Sequence, residues 1–264
     1  MSELCLQKEI NRHMNASRSK FGLYINIFAL NDYFRSLKVH DMKYFDEGFL
    51  KFFNGLQRNN NKIWFDKNKL KYETSVKKPF ELLVADLILK MQKIHPGFHS
   101  EVKDAIFRIN RDIRFSADKT PYKTAVSAAI VQGGRKNMSD PGLYIELSAG
   151  NLSIYGGVYM PDKEQLSAIR TAINSDPNRV KKLKADKKFK SMYGEIRGDI
   201  NKILPLEFKE AAKSEPLIAH KQFYFMVKYT DNKALLGDDL VTFIMKHYET
   251  GLPWSNFFKE AINA

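Results

Sequence analysis

Apolar residues thicken at Met42, after which Tyr44, Phe45, Phe49, Leu50, Phe52, Phe53 and Leu56 follow one another closely. Further on, Phe65, Asn68, Tyr72, Val76, Phe80, Leu83, Leu87, Met91 and Ile94 recur at three- and four-residue steps. That spacing keeps them on one face and predicts a helix of about 30 residues laid over a core. Asn59-Asn60-Asn61 supplies its N-cap and Pro96-Gly97 its end. Pro79 removes one helix hydrogen bond, so a kink or two abutting helices is expected there. Asn68 lies on the apolar stripe, where leaving it unsatisfied costs about 1–3 kcal/mol. Its partner is either backbone or the basic stretch that follows.

The period then changes to two. Ala105–Ile109 alternates, which predicts a strand, and Tyr122 to Val131 predicts the next. On the second, Lys123, Ala125, Ser127, Ala129 and Val131 form a face small enough for a helix or a ligand to come close. Leu143–Leu147 and Leu152–Met160 flank Ser148-Ala149-Gly150-Asn151 as a hairpin. Gly156-Gly157 within the second arm points to a bulge or a close backbone approach. Asp162 caps a helix turning Leu166, Ile169, Ala172 and Ile173 inward, and Phe223, Phe225, Val227 and Tyr229 make a last strand. Asp238 opens a closing helix through Leu240, Phe243, Ile244 and Tyr248. The pattern predicts a single α+β domain over residues 43–264, a mostly antiparallel sheet of about five strands with helices packed on it.

Residues 1–42 carry no sustained period, and the expectation is a poorly ordered extension or a mis-called start, with translation beginning at Met42. Arg12, Arg18 and Lys20 before Phe21–Leu30 imitate a secretory leader, but no small-residue cleavage site follows. The most apolar helical run, Phe80 to Met91, is broken by Glu81, Asp86 and Lys90, so no membrane partner is expected. The single cysteine, Cys5, excludes a disulfide framework and a four-cysteine zinc site and suits a cytoplasmic location. A net charge of +13 favours acidic partners, provided the charge is focused.

It is focused in Arg108–Lys123, where five cations (Arg108, Arg111, Arg114, Lys119, Lys123) meet two acids, Asp112 and Asp118. A phosphate loop, a nucleophile elbow, a zinc-protease helix and a dinucleotide fingerprint are all missing, and no cofactor or metal is called for. Cations at three-residue intervals cannot share one face of a regular strand, so the chain bends after Ile109 and the guanidiniums converge. Arginine forks match carboxylate and phosphate bidentately. The leading reading is therefore a site for a small anionic, phosphate-bearing ligand, built from Arg108, Arg111, Asp112, Arg114, Asp118, Lys119 and Tyr122. Trp64, Asn68 and Lys69 of the long helix supply walls. A second reading is an enzyme acting on such a ligand, with Asp112 or Asp118 as base and Tyr122 as proton donor. A third is a nucleic-acid-associated protein using Arg179–Lys190, where seven cations face one acid, Asp186. The plain structural alternative is an ion-pair network, Asp112 on one arginine and Asp118 capping the turn.

The run R-x-x-R-D-x-R-F-x-x-D-K-x-P-Y, here Arg108, Arg111, Asp112, Arg114, Phe115, Asp118, Lys119, Pro121 and Tyr122, resembles the signature of domain-of-unknown-function family 2461. The likeness extends upstream to Asn60-Asn61-Lys62-Ile63-Trp64-Phe65 with Asn68, Lys69 and Tyr72. Downstream it takes in Gly156-Gly157-Val158-Tyr159-Met160-Pro161 with Leu166, Ile169 and Arg170, and departs at Tyr159, where tryptophan is expected. It covers Tyr44 to the end and implies a site without naming a reaction.

Overall fold

Asp46 starts the first helix, α1 (Glu47–Arg58), by accepting the Gly48 amide hydrogen at 2.8 Å. Its apolar side buries Phe49, Phe52, Phe53 and Leu56 almost completely. This helix opens the part of the chain that the computed structural model describes, residues 43–264. The reading of residues 1–42 as an extension or mis-called start, with Cys5, lies outside the described residues.

The long amphipathic run is divided into α2 (Lys62–Lys67), α3 (Lys69–Tyr72), a π-turn (Glu73–Lys77) and α4 (Lys78–Ile94). Asn61 caps α2 by accepting from the Trp64 amide at 2.9 Å. The irregularity expected at Pro79 falls just ahead of it, where the Lys78 N–H reaches back to the Glu73 carbonyl. Proline has no N–H to offer Ser75, and its ring crowds that carbonyl; a turn widened by one residue relieves both. Asn68, between α2 and α3, donates its side-chain amide to the Trp64 carbonyl at 2.9 Å. Its partner is backbone.

A short helix α5 (Val102–Ala105) precedes four strands: β1 (Val126–Ile130), β2 (Gly142–Ser148), β3 (Asn151–Val158) and β4 (Phe223–Tyr229). They lie in sequence order, every pair antiparallel. The sheet thus has four strands, and the strand expected at Ala105–Ile109 reduces to isolated bridges, Ile106 to Ala128 and Asn110 to Tyr122. Extended backbone still runs alongside: Phe107 donates to Ser127 at 2.9 Å, Lys123 to Ile109 at 2.8 Å, and Arg111 to Pro121 at 2.9 Å. Four residue steps separate Ile106 from Asn110 but six separate Tyr122 from Ala128, so the ladder falls out of register between the two bridges and does not become a fifth strand. The same slip leaves the expected Tyr122–Val131 strand to begin at Val126, as β1.

After β3 come α6 (Lys163–Ser175), α7 (Pro177–Ala185), α8 (Lys187–Tyr193), α9 (Leu206–Lys209), α10 (Ala211–Ser214) and a 3-10 turn (Pro216–Ala219). Asp162 and Gln165 form a reciprocal capping box at α6. Arg170 of α6, buried without an acid, donates to the carbonyls of Ile218 at 2.8 Å and His220 at 3.1 Å. The last helix is α11 (Leu240–Ile262), one residue later than an Asp238 cap would start it.

Alternation assigns the sheet's two faces. Ala128, Ile145, Ile154 and Phe225 point into the core, where α4 packs on β1 and α11 on β3. Gly156 shows the close approach that Gly156-Gly157 promised: a Cβ there would lie 2.4 Å from the Phe225 ring, and one on Gly251 of α11 would lie 2.3 Å from it. The opposite face carries Ser127, Glu146 and Ser153 in one cross-strand row and Ala129, Tyr144 and Tyr155 in the next.

Candidate functional site: a tyrosine trough beside a basic loop

Within Arg108–Lys123 the acids are already engaged. Arg111 pairs with Asp118 and also donates to the hydroxyl and carbonyl of Thr120, which folds the loop onto itself. Arg114 grips Asp112 with both ends of its fork, at 3.0 and 2.7 Å. Lys119 donates to the Ile113 carbonyl at 3.0 Å. Phe115 is 96% exposed, with the Arg114 guanidinium 5.8 Å from its ring centre. Arg108 is exposed and, among the described residues, meets no acid. Lys123 lies over the Phe107 ring at 5.2 Å. The loop's charge surplus therefore resides on Arg108, Lys119 and Lys123, and Arg111 and Arg114 act as braces.

Electrostatics follow this pairing. The Thr120 amide, then Arg111 and the Thr120 hydroxyl, hold the Asp118 carboxyl down at about 2. Hydrogen bonds from Arg114 lower that of Asp112. Burial, reinforced by the charge of Arg108, lowers the Lys123 ammonium, with Glu146 opposing. Lowering a carboxyl's pKa weakens it as a proton acceptor, so the pairing moves both acids away from the range that suits a general base.

The long-helix residues reach the loop through different side chains from those expected. Trp64 packs on Phe52 at 5.6 Å, Asn68 serves its own helix, and Lys69 is exposed. Asn60 and Phe65 make the connection. The Asn60 amide donates to the Tyr122 carbonyl at 2.8 Å and accepts from the Tyr122 N–H at 3.1 Å, standing in for a strand neighbour. Phe65 stacks on the buried Tyr122 ring at 4.1 Å. Asn60→Ala leaves both Tyr122 backbone groups without that partner, and a loss of about 2 kcal/mol in urea unfolding is expected. Hydrogen exchange should quicken at Tyr122 and Lys123; unchanged exchange there would count against the tie.

The sheet face that no described helix covers bears a trough of about 350 Å³. Phe107, Tyr144, Tyr155, Tyr159 and Tyr224 wall it, over a floor that includes Ala129, Gly142 and Gly156. The rings meet edge to face, Phe107 with Tyr144 at 6.0 Å and Tyr144 with Tyr155 at 5.3 Å. Tyr159 is half exposed at the rim, 5.8 Å from Tyr224, not a packing residue. Glu146 accepts from Tyr144 at 3.3 Å and from Asn151 at 3.4 Å, long bonds that leave its carboxylate lightly engaged. Burial pushes the Tyr144 hydroxyl up to about 12. Sequence reasoning flagged the small Ala–Ser face and missed the tyrosines and Glu146. Tyr144, Glu146, Tyr155 and Tyr159 hold alternate positions along the two hairpin arms, and Tyr224 stands on β4.

Elsewhere, the Arg179–Lys190 cations occupy α7 and α8. Arg179 pairs with Glu260 at 2.7 Å and Lys184 with Glu215 at 2.5 Å, and the remaining lysines are exposed. Among the described residues no cluster of three or more His, Cys, Asp or Glu is placed to hold a metal. Nor is any described helix long and apolar enough to cross a membrane.

Fold and site together define, over residues 43–264, a single α+β domain whose described helices cover one face of an antiparallel meander, with a tyrosine-lined trough on the other. The chain belongs to the family described as conserved hypothetical protein (DUF2461), whose model matches residues 48–257. No curated protein and no solved structure matches it.

Proposed function

We propose that the protein binds a small anionic, phosphate-bearing ligand with a flat apolar body in the tyrosine trough. One observation carries this reading: Lys123, unmatched by any acid within ion-pair distance among the described residues, sits on the ring of Phe107, which lines the trough. Arg108 lies close enough for its charge to act on Lys123, and Glu146, which lines the trough with Asp140, acts on Lys123 with the opposite sign. A cation partly withdrawn from water gains more from an anion than a solvated one does. Aromatic walls bury the flat part of the guest, and Glu146 accepts any N–H or O–H it offers. Arg111, Arg114, Asp112, Asp118 and Lys119 fix the loop that carries Arg108 and Lys123. Turnover through Asp112 or Asp118 is disfavoured by their lowered titration.

The test is calorimetric titration with nucleotides and phosphorylated aromatic metabolites. Binding should weaken about tenfold or more in Lys123→Ala and in Tyr155→Ala, with circular dichroism unchanged. Binding that survives both variants overturns the assignment, as does silence across the whole set. A bulk nucleic-acid binder would instead lose affinity steeply between about 50 and 200 mM salt and respond to lysine changes in α7 and α8.

A further inference from the structure

A second hollow of about 330 Å³ lies where the chain leaves α4, before β2, and along the last turns of α11. It is more polar than the trough, and two of its groups are opposite in charge and unjoined. Among the described residues the Asp140 carboxylate accepts no hydrogen bond, the Lys259 ammonium donates none, and neither closes an ion pair. Both line the hollow, and the charge of Lys259 is felt at Asp140 and at His95. His95 Nε2 is hydrogen-bonded to the Tyr248 hydroxyl at 2.9 Å, which fixes two polar groups between them. Phe98 and Leu252 supply apolar wall.

Two opposite charges that border one space without meeting are matched by a molecule that carries both signs. We propose that this hollow binds a small apolar zwitterion, a free α-amino acid, with its ammonium on Asp140 and its carboxylate on Lys259. Its volume is at the small end for ligand sites, which run from about 300 to 1,000 Å³, and so suits a guest of amino-acid size. Half-burial raises the Asp140 carboxyl, the direction expected of an acid that lacks a cation in a poorly solvated place. His95 is shifted down by burial and by Lys259, and a neutral imidazole leaves the ammonium on Asp140 unopposed. The proposal is independent of the trough reading, although Asp140 borders both spaces.

Titration calorimetry with L-leucine, 3-methylbutylamine and 4-methylpentanoate decides it. Leucine should bind, and the amine and the acid, each missing one charge, should bind at least about tenfold more weakly. Asp140→Asn and Lys259→Ala should each weaken leucine binding by a similar factor, with melting temperatures close to that of the unaltered protein, and Lys123→Ala should leave it unchanged. Absence of leucine binding, equal binding of either single-charge analogue, or full affinity in both variants would overturn the proposal. Loss of leucine binding in Lys123→Ala would also overturn it, by moving the molecule to the trough.

Discussion

Gly251→Val is expected to destabilise the domain by about 3 kcal/mol or more, the upper part of the range for overpacked cores. The Phe225 ring is 1% exposed and held between two backbones that carry no side chain toward it. A first side-chain carbon at Gly251 would stand 2.3 Å from that ring, and Gly156 on β3 blocks retreat, since its own Cβ position is 2.4 Å away. Sideways movement is stopped by Tyr193, 4.7 Å from the ring, and Phe189, 5.2 Å from it. Relief therefore requires α11 to lift from the sheet, which uncovers the core. For a domain of this size a loss of that order lowers the melting temperature by about 6–12 °C. A double-mutant cycle isolates the contact: adding Phe225→Ala to Gly251→Val should cost clearly less than the sum of the single changes. Additive costs, or a Gly251→Val protein that melts with the wild type, would show that the ring has room to move.

Stability should also fall between pH 7 and pH 5, because one buried histidine has a folded value below its unfolded one. His247 is 1% exposed. Its Nδ1 faces the Phe243 carbonyl at 2.7 Å, and a carbonyl only accepts, so Nδ1 bears the hydrogen. Nε2 is then left to accept from the Tyr229 hydroxyl at 2.7 Å. Protonating Nε2 breaks that acceptance and buries a charge, and burial accordingly lowers the pKa below the ordinary 6.5. As the medium acidifies, the unfolded chain takes up its proton first. The stabilisation is thus complete above the unfolded value and drains away as pH falls toward the folded one, at no more than about 1.4 kcal/mol per pH unit. His95 and His220 are lowered too, burial being the main cause, and act with the same sign. Asp118 lies outside this window, because its contribution is present above 3.8 and is lost only as pH falls toward about 2. Urea midpoints at pH 7, 6 and 5 measure the slope, and His247→Phe should flatten most of it. A midpoint independent of pH would contradict a buried neutral imidazole.

The elements read correctly from sequence were those whose signals are local. The hairpin announced itself through Gly150, which turns the chain with φ of +71° between Ser148 and Asn151. Asp162 with Gln165, and the apolar spacing of the closing helix, acted within one or two turns. What stayed hidden depended on geometry across the chain. The expected fifth strand fails because the two segments slip out of register between the Ile106 and Asn110 bridges, although the alternation of Ala105–Ile109 is sound. Charge counting found the surplus in Arg108–Lys123 but not its location. Arg111 reaches forward to Asp118 because Thr120 completes its cradle, and Arg114 turns back to Asp112. The trough was harder still. Tyr144, Glu146 and Tyr155 stand in strands that the pattern identified, yet a half-polar strand face reads the same whether a neighbour or solvent lies above it. Only the placement of α4 and α11 on the other side reveals which face is free.

That arrangement sets the kinetics of whatever settles on the tyrosines. Among the described residues no element has to be displaced for the proposed guest to enter, so its arrival is expected to be governed by encounter, which a net charge of +13 speeds for negative molecules. Occupancy by that guest is then expected to follow its supply, without a slow rearrangement of the described fold to delay the response.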